Sequence, residues 1–443
     1  MSKEESTFKF GHPMRSQFLL DNDYIPLNHG SYGTIPKVVQ EAFREYQDKM
    51  ETNPDKFFRR DLELELCKAR EAVAKFINAE TNEVVFVQNT TTGINSVLKS
   101  LKYEEGDKLL YFSTVYAAIG SLLEYIHEIY EGKVELIKIE VNYPISDDDL
   151  IDKFVKVIEE EKQKPNTKIK LAVIDAISST PGVIVPFQRM ISILRQNNIL
   201  SVVDGAHAIG QIPLNIKEIE PDFFATNCHK WLYTPKSSAI LYVPYKHQKK
   251  IHPSVTSLYL HEGFVSEFSW IGTQDFGSFL AIHAALEFRK KIGGEEKIQN
   301  YCKKLAIEGG NLISSILGTE IIGPESIIQS MVNIRLPIPT SNEEFTDKKF
   351  MDLMFNKYNF AVLVFKHNKY WYIRASAQIY TDLNDFEKVV TFSIGDIISS
   401  GKAVSYLTNR LFVRNNGYRP DIRKTATLKK QSSNGSKLKV SEK

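Results

Sequence analysis

The chain has few cysteines and no long apolar run, and both absences limit what it can be. Its 443 residues contain three cysteines, Cys67, Cys228 and Cys302, which are widely spaced and form no C-x-x-C pair. Such a set argues against a disulfide framework or a metal site and is typical of a reducing compartment. No apolar run approaches the roughly 20 residues of a membrane helix, and the first residues are polar, unlike a signal peptide. We expect a cytoplasmic protein, with the nucleus as an alternative, and no membrane contact.

Several catalytic signatures are also missing. The sequence has no G-x-S-x-G, H-E-x-x-H, Walker A or G-x-G-x-x-G pattern, so hydrolase, metalloprotease and nucleotide-binding functions lose their support. The net charge is only +2, and residues 419–443 alone hold eight Lys or Arg and two acidic residues. The rest of the chain is therefore negative overall, which removes the electrostatic case for nucleic acid as a partner.

Seven short apolar runs recur between amphipathic stretches, and they predict the fold class. They cover residues 84–87, 109–112, 134–139, 171–174, 200–203, 223–226 and 239–243. Runs this short and this apolar are typical of strands buried on both faces of a parallel sheet. Because helical patterns alternate with them, we expect an α/β fold with a mainly parallel, seven-stranded sheet.

The length predicts more than one domain, since 443 residues exceed what one core usually holds. Past residue 280 the pattern favours a smaller α+β domain, with an antiparallel hairpin of 360–365 and 370–374 and a closing helix over 385–399 capped by Asn384. The expected order is an N-terminal segment packed on the body (1–34), a large domain (35–280), a small domain (281–405) and a basic tail (406–443), disordered from about 419.

Two of the apolar runs end in residues that suit one cofactor. Lys230 follows the run 223–226, and Asp204 follows the run 200–203. Ligands of parallel sheets bind outside the carboxyl ends of the strands, so both side chains are expected at one edge. Pyridoxal 5'-phosphate (PLP) needs a lysine to hold its aldehyde as a Schiff base and a carboxylate to keep its pyridine nitrogen protonated. The pair predicts PLP, although a surface lysine and an aspartate that caps a turn are the alternatives.

Polar side chains after other runs fit the same cofactor. Thr90 and Thr91 open a helix, where backbone N–H groups favour an anion such as the cofactor phosphate, although a threonine run is also a plain helix cap. Asn227 is close enough in sequence to Lys230 to add a donor to the phosphate. His207 is expected to contact the phenolic oxygen of the cofactor, with a helix cap as the alternative.

Two further residues are expected to complete a catalytic site. Tyr116 follows the run 109–112 in a polar loop, where its ring can stack on the cofactor and its hydroxyl can protonate a leaving group, unless it is a core aromatic. Arg374 ends the second hairpin strand and is expected to bind a substrate α-carboxylate in bidentate fashion, unless it is only a salt-bridge arginine.

These residues stand in motifs that resemble a known family. The motifs are Asp204-Gly-Ala-His207, Asn227-Cys-His229-Lys230, Thr90-Thr-Thr-Gly-Ile-Asn95 and Ile373-Arg374-Ala-Ser376. In combination they resemble the class V aminotransferase family of fold-type I PLP enzymes, over roughly residues 10–400. Within it, Phe10–Phe18 and Leu27–Gly33 resemble the isopenicillin N epimerase-like branch, which contains fungal hercynylcysteine sulfoxide lyases and cysteine desulfhydrases.

The resemblance carries its own implications for the site. It implies that Asn28 and His29 line the substrate side of the pocket and that His229 belongs to the cofactor site. It also implies a homodimer with the site at the interface, in which Thr273 of a Gly-Thr turn reaches the phosphate of the neighbouring subunit.

Departures from the family pattern favour one reaction. Residues 359–373 contain no cysteine, where a group of cysteine desulfurases carries the residue that takes sulfur as a persulfide. Desulfurases usually stack a histidine on the cofactor, whereas this chain has Tyr116. We therefore expect a carbon–sulfur lyase that performs β-elimination on an S-substituted cysteine of the hercynylcysteine sulfoxide type, as in ergothioneine synthesis, and gives a thiol or sulfenate, pyruvate and ammonia. Alternatives are a cysteine desulfhydrase, an epimerase, an aminotransferase and a non-enzymatic binding module.

Overall fold

The computed structural model describes residues 8–165, 168–343 and 345–390. These belong to the compact unit Met1–Ile394. The strands are β1 (Ile25–Pro26), β2 (Val84–Val87), β3 (Asp107–Phe112), β4 (Glu135–Ile139), β5 (Lys168–Asp175), β6 (Leu200–Asp204), β7 (Phe223–Asn227), β8 (Ala239–Tyr242), β9 (Met331–Pro339), β10 (Phe360–Ala361), β11 (Leu363–His367) and β12 (Tyr370–Ser376).

Helices lie between most of these strands. They are α1 (His29–Tyr32), α2 (Lys37–Thr52), α3 (Pro54–Lys56), α4 (Leu62–Phe76), α5 (Thr90–Ser100), α6 (Ala117–Ile129), α7 (Asp147–Lys162), α8 (Phe187–Gln196), α9 (Ile216–Ile219), α10 (Cys228–Trp231), α11 (Tyr245–Gln248), α12 (Phe264–Ser269), α13 (Gly277–Leu280), α14 (Ile282–Lys291), α15 (Gly294–Leu317), α16 (Asp347–Leu353) and α17 (Leu383–Val389). Short 3-10 turns cover His12–Gln17, Thr81–Glu83 and Glu325–Ile327, and π turns cover Phe57–Asp61 and Met354–Tyr358.

The central sheet has seven strands in the order β2-β8-β7-β6-β5-β3-β4. Strand β8 runs antiparallel to both of its neighbours, and every other adjacent pair is parallel. Because β2 and β7 are both antiparallel to β8, they run in the same direction as each other. The carboxyl ends of β2, β3, β5, β6 and β7 therefore meet at one edge, and the predicted α/β fold with a mainly parallel sheet is confirmed.

Burial on both faces explains why such apolar runs form these strands. Every residue of β2, β7 and β8 is buried. The covering helices are amphipathic, and α8 buries Phe187, Met190, Ile191 and Leu194, which recur at helical spacing on one face. Burying a side chain of this size stabilises the fold by about 1.5–3 kcal/mol, before the entropy of ordering the chain is counted.

The C-terminal part of the described chain forms a second sheet, in the order β11-β12-β9, with both pairs antiparallel. The predicted hairpin is present, but its first strand begins at Leu363. Phe360 and Ala361 form β10 instead, which pairs in parallel with β1 near the N-terminus. This is a correction: local alternation marks a strand but does not show which distant segment will pair with it.

The closing helix also differs from its prediction. Helix α17 begins at Leu383, and its cap is the Asp382 side chain, which accepts from the backbone N–H of Asn384 and forms a capping box with Asp385. The cap expected at Asn384 was therefore wrong by two residues, because Asn384 already lies in the first turn, while Asp382 has the extended backbone of a cap and Asp385 three residues later completes the capping box. The rest of the predicted helix and the basic tail lie outside the described residues.

The N-terminal segment packs on the body through aromatic contacts. Met14 and Phe18 are buried in a cluster that includes Tyr233, Phe288 and Tyr380. The boundaries of the large and small domains remain predictions. Among the described residues, none of the helices combines the length and the apolar character required to cross a membrane.

Candidate active site

The lysine-bearing turn lies at the carboxyl end of β7, where the chain turns directly into the short helix α10. Lys230 is half-buried there, and its Nζ is 3.2 Å from Nε2 of His207. Burial, helped by the positive charge of Arg374 and opposed by Asp204, lowers the pKa of Lys230 to about 7. A large fraction of this amine is thus neutral near pH 7 and able to act as a nucleophile or base.

Two buried carboxyl groups lie side by side at the ends of the neighbouring strands. Asp204 ends β6 with 3% exposure and accepts a 2.9 Å hydrogen bond from the backbone N–H of Ala206. Asp175 ends β5 directly opposite it in the parallel register and is also buried. Burial raises the pKa of both groups, and the charge of Asp204 raises that of Asp175 further. A cation at this position, such as a protonated ring nitrogen, would favour the charged form of a carboxyl group that burial otherwise disfavours.

The start of α5 lies beside the lysine turn and is the candidate site for an anion. The Asn227 side chain accepts a 2.9 Å hydrogen bond from the backbone N–H of Thr90, which ties β7 to this helix end. The buried hydroxyl of Thr90 has no hydrogen-bond partner in the described part of the chain. Thr91 lines a neighbouring cavity of about 370 Å³, whose lining includes Asn95 and Lys99 but not Lys230. Helix N-termini of this kind bind phosphate.

His229 borders the same region. Its Nδ1 donates to the carbonyl of Ser238 at 3.0 Å, and burial, followed by the charges of Lys230 and Lys236, lowers its pKa to about 4. The imidazole is therefore neutral at physiological pH. With a reactive amine, a paired carboxylate site and an anion site at one sheet edge, the residues present fit PLP.

Arg374 is a buried cation without a carboxylate partner among the described residues. Only 1% of the residue is exposed. Its Nη1 donates to the carbonyl of Ser179 at 2.7 Å, and its Nη2 donates to Ser31 Oγ at 3.2 Å and Asn28 Oδ1 at 3.4 Å. Its Nε has no acceptor in the same residues, and burial lowers its pKa to about 10. A buried guanidinium with neutral partners is an incomplete ion pair, which a ligand carboxylate would complete.

His29 lies against the lysine turn. Its Nε2 donates to the backbone carbonyl of Lys230 at 2.7 Å, and its Nδ1 accepts from the hydroxyl of Tyr380 at 2.6 Å. Burial lowers the pKa of His29 to about 3, so the ring stays neutral. Both ring nitrogens are thus used by the protein, and the arrangement favours a role in positioning Lys230 over direct substrate contact.

Tyr116 and Thr273 are placed differently from the residues above. Tyr116 precedes α6 at the carboxyl end of β3 and is 48% exposed, so it is not a core aromatic. Thr273 lies in an exposed turn next to Gly272, whose φ is +133°. Within the described residues, neither side chain forms a hydrogen bond with Lys230 or Arg374, and their expected roles remain predictions.

Several site residues were not expected from the sequence. They are Asp175, Ser179, Ser31, Tyr380 and Trp231, the last of which donates from its indole nitrogen to His207. Two of them could have been found from the sequence. Asp175 follows an apolar run as Asp204 does, and Ser31 lies inside Leu27–Gly33, the segment that resembles the epimerase-like branch. Trp231, Ser179 and Tyr380 act through contacts between distant segments, which no local pattern marks.

Comparison with known proteins agrees with this geometry. The sequence model of the class-V aminotransferases matches residues 30–348. The chain is 32% identical to hercynylcysteine sulfoxide lyase of Schizosaccharomyces pombe, covering 85% of this chain and 95% of that protein. The chain belongs to the class-V aminotransferase family. Within this family it is also 29% identical to the L-cysteine desulfhydrase-like protein lolT1 of Epichloe uncinata (87% and 96% covered) and 24% identical to isopenicillin N epimerase of Streptomyces clavuligerus (74% and 85% covered).

Solved structures show the same fold. A cysteine desulfurase from Thermococcus onnurineus superposes with a TM-score of 0.74 at 20% identity, covering 89% of this chain and all of that one. A variant of C-DES with glycine covalently linked to its PLP cofactor superposes with a TM-score of 0.70 at 18% identity, covering 85% and 98%. The predicted family, fold, PLP cofactor and enzyme class, a PLP-dependent carbon–sulfur lyase, are confirmed.

Proposed function

We propose that this class-V enzyme cleaves the β carbon–sulfur bond of an S-substituted cysteine. The preferred substrate is a cysteine sulfoxide of the hercynylcysteine sulfoxide type, with free cysteine second, and the products are a thiol or sulfenate, pyruvate and ammonia. The observation that carries the proposal is Arg374, a buried guanidinium with neutral partners, close enough to the neutral amine of Lys230 to lower its pKa. The 32% identity to a hercynylcysteine sulfoxide lyase supports the substrate and a place in ergothioneine synthesis.

Each polar group of the site has one task in this reaction. Bound here, PLP supplies an aldehyde for an amine and a ring that takes up the electrons released when a bond at Cα breaks. Thr90, Thr91, Asn227 and His229 would hold its phosphate, Asp204 its ring nitrogen and His207 its phenolic oxygen.

The chain's own groups then position the substrate and move protons. Arg374 binds the substrate carboxylate, which fixes the orientation of the Cα–H bond. Lys230 Nζ takes the Cα proton, for which a pKa near 7 is well matched. Tyr116, exposed at the rim, donates a proton to the sulfur that leaves.

Two of the three cysteines support a lyase over a persulfide-forming desulfurase. Cys228 and Cys302 are fully enclosed, and burial raises the pKa of both thiols. A buried protonated thiol is a poor sulfur acceptor, because the thiolate is the nucleophile. Residues 359–373 offer no other cysteine.

We also propose a homodimer in the cytoplasm or the nucleus, in which Thr273 contributes to the partner's phosphate site. The exposed turn at Gly272, which leaves open space around it, supports this arrangement.

The function is tested by incubating the purified protein with hercynylcysteine sulfoxide, cysteine and cystine and measuring pyruvate. We expect pyruvate fastest from the sulfoxide and none from a Lys230→Ala variant. Activity only on unsubstituted cysteine would overturn the substrate. Inversion of configuration without pyruvate would indicate an epimerase, and a requirement for a keto acid would indicate an aminotransferase.

A further inference from the structure

His207 is held between the lysine and the residue that follows it. Its Nδ1 accepts a 3.1 Å hydrogen bond from the indole Nε1 of Trp231, and its Nε2 lies 3.2 Å from Nζ of Lys230. His207 and Trp231 are both buried, with 2% of each exposed. Two neighbouring residues of one turn therefore contact the two nitrogens of one imidazole.

The contact with Trp231 determines where the imidazole proton is. An indole nitrogen can only donate a hydrogen bond, so the Nδ1 that faces it must be an unprotonated acceptor. A neutral imidazole carries its single proton on the other nitrogen. Burial, followed by the charges of Lys230, Arg374 and His229, lowers the pKa of His207 well below its ordinary value, which keeps the ring neutral. His207 thus holds its proton on Nε2.

A donor on Nε2 acts on the lysine amine it faces. A neutral amine has a lone pair that can accept this hydrogen bond, whereas an ammonium group has only donors and would be repelled. The hydrogen bond therefore favours the neutral form of Lys230. This contribution adds to burial and to the charge of Arg374 from β12, and it is opposed by Asp204 from β6.

We infer that Trp231 is a positioning residue, which acts through His207 by holding its proton on Nε2 so that a hydrogen-bond donor always faces Nζ of Lys230. The inference rests on the proposed function only in that Lys230 is the reactive lysine. When PLP is bound, the same donor is available to the phenolic oxygen, without a change of tautomer.

The test replaces the indole with a ring that cannot donate, Trp231→Phe. The reactivity of Lys230 toward an amine-directed acylating reagent is followed against pH in the full-length chain freed of cofactor, with the labelled peptide quantified by mass spectrometry. Loss of the indole allows the proton to move to Nδ1, so Nε2 can accept from the ammonium form. We expect the midpoint of labelling to rise by about one pH unit, the worth of one hydrogen bond.

A matched control separates this effect from the loss of ring volume. Trp371 is also a buried tryptophan, and its indole nitrogen has no hydrogen-bond partner in the part of the chain that the structure describes. Trp371→Phe should leave the midpoint unchanged. A midpoint that is the same in Trp231→Phe and wild type would overturn the inference, while pyruvate formation could still support the lyase.

A second measurement shows whether the effect passes through His207. In a His207→Phe background, Trp231→Phe should cause no further change in the midpoint, because the intermediary is gone. Equal shifts in both backgrounds would mean that Trp231 acts directly, which contradicts the inference. If His207→Phe does not fold, the ¹⁵N chemical shifts of His207 in the intact protein decide the question, since a protonated Nδ1 would also overturn it.

Discussion

Arg374 and Asp175 are charged residues that are buried without a partner of opposite charge among the described residues. Both are almost fully enclosed at the site, and neither has an oppositely charged partner among the described residues. A buried, unpaired charge lowers the stability of the folded protein. Each of the two residues therefore leads to a prediction about the effect of its substitution on substrate binding or on stability.

Arg374→Lys should weaken substrate binding because an ammonium group cannot reproduce the planar, two-pronged contact with a carboxylate. We expect KM to rise about 100-fold, on the order of 3 kcal/mol, with a smaller change in kcat. Steady-state pyruvate formation measures both constants. Arg335→Lys is the matched control, since Arg335 lies on the neighbouring strand β9 and pairs with Glu320 away from the site. A similar rise in KM for both variants would contradict the role of Arg374.

Asp175→Asn should stabilise the cofactor-free protein at neutral pH. Its pKa in the folded state is raised above 3.8, so the folded state binds more protons and loses stability as pH rises from about 4 through the folded pKa. The amide removes this penalty. Thermal unfolding should show a gain in Tm at pH 7 that shrinks as pH falls toward 4.

Asp107→Asn serves as the control for this substitution. Asp107 is equally buried but forms ion pairs with Lys168 and Lys170. Its loss should lower Tm, because it removes the ion pair with Lys170, whose side chain is only 18% exposed, from a buried position. A gain in Tm from both substitutions would show that the paired position of Asp175 next to Asp204 has no special effect.

At the scale of elements, the short helix α1 and the turn α10 act as one unit. Gly33 ends α1 with φ +67°, and a Cβ there would lie 2.0 Å from the carbonyl oxygen of His229. His29, in the same helix, donates to the carbonyl of Lys230. Helix α1 thus fixes the turn that carries Lys230, some 200 residues later in the sequence.

Gly33→Ala should therefore displace the lysine turn. Gly318→Ala is the control, because Gly318 has a similar φ of +64° but open space around it. Placing an alanine at a positive φ destabilises the folded state by about 1 kcal/mol, and this cost is common to both substitutions. We expect Gly318→Ala to lower stability by that amount only, and Gly33→Ala to lower it further and reduce kcat at least tenfold. Equal effects in denaturant unfolding and kinetics would contradict the coupling of α1 to α10.

The elements also show how far the sequence alone leads. Most strands of the central sheet were predictable because burial on both faces leaves a continuous apolar run, and Lys230 and Asp204 because each follows such a run. Arg374 was expected at the end of a hairpin strand, but that strand continues to Ser376. The pairing of Phe360 with Ile25 was not, because pairing between distant segments has no local signature. For the same reason the sequence pointed to His29 but not to its partner Tyr380. The helix cap was predicted at Asn384 and lies at Asp382, because the sequence pattern did not define the start of the helix to within two residues.

At the scale of the whole molecule, the proposed homodimer predicts that two damaged chains can complement each other. A Lys230→Ala chain and a Thr273→Glu chain should each be inactive, the second because its carboxylate repels the phosphate of the partner's site. In a hybrid dimer both defects fall in the same site, and the other site is intact. Co-expression in equal amounts should restore about a quarter of wild-type activity per subunit, since half of the dimers are hybrids.

The alternatives give a different result in this experiment. If Thr273 serves its own subunit, or if the protein acts as a monomer, each defect lies in a different site and no hybrid has an intact one. Pyruvate formation that stays at the level of the separate variants would rule out the shared site.

The guanidinium of Arg374, with its neutral neighbours, has a consequence for turnover. It does not distinguish the carboxylate of an incoming amino acid from that of a departing keto acid. Pyruvate should therefore occupy the same place after the reaction and slow the enzyme as its concentration rises, in competition with substrate. The guanidinium that would attract the substrate would thus also make turnover depend on how quickly the cell removes the product.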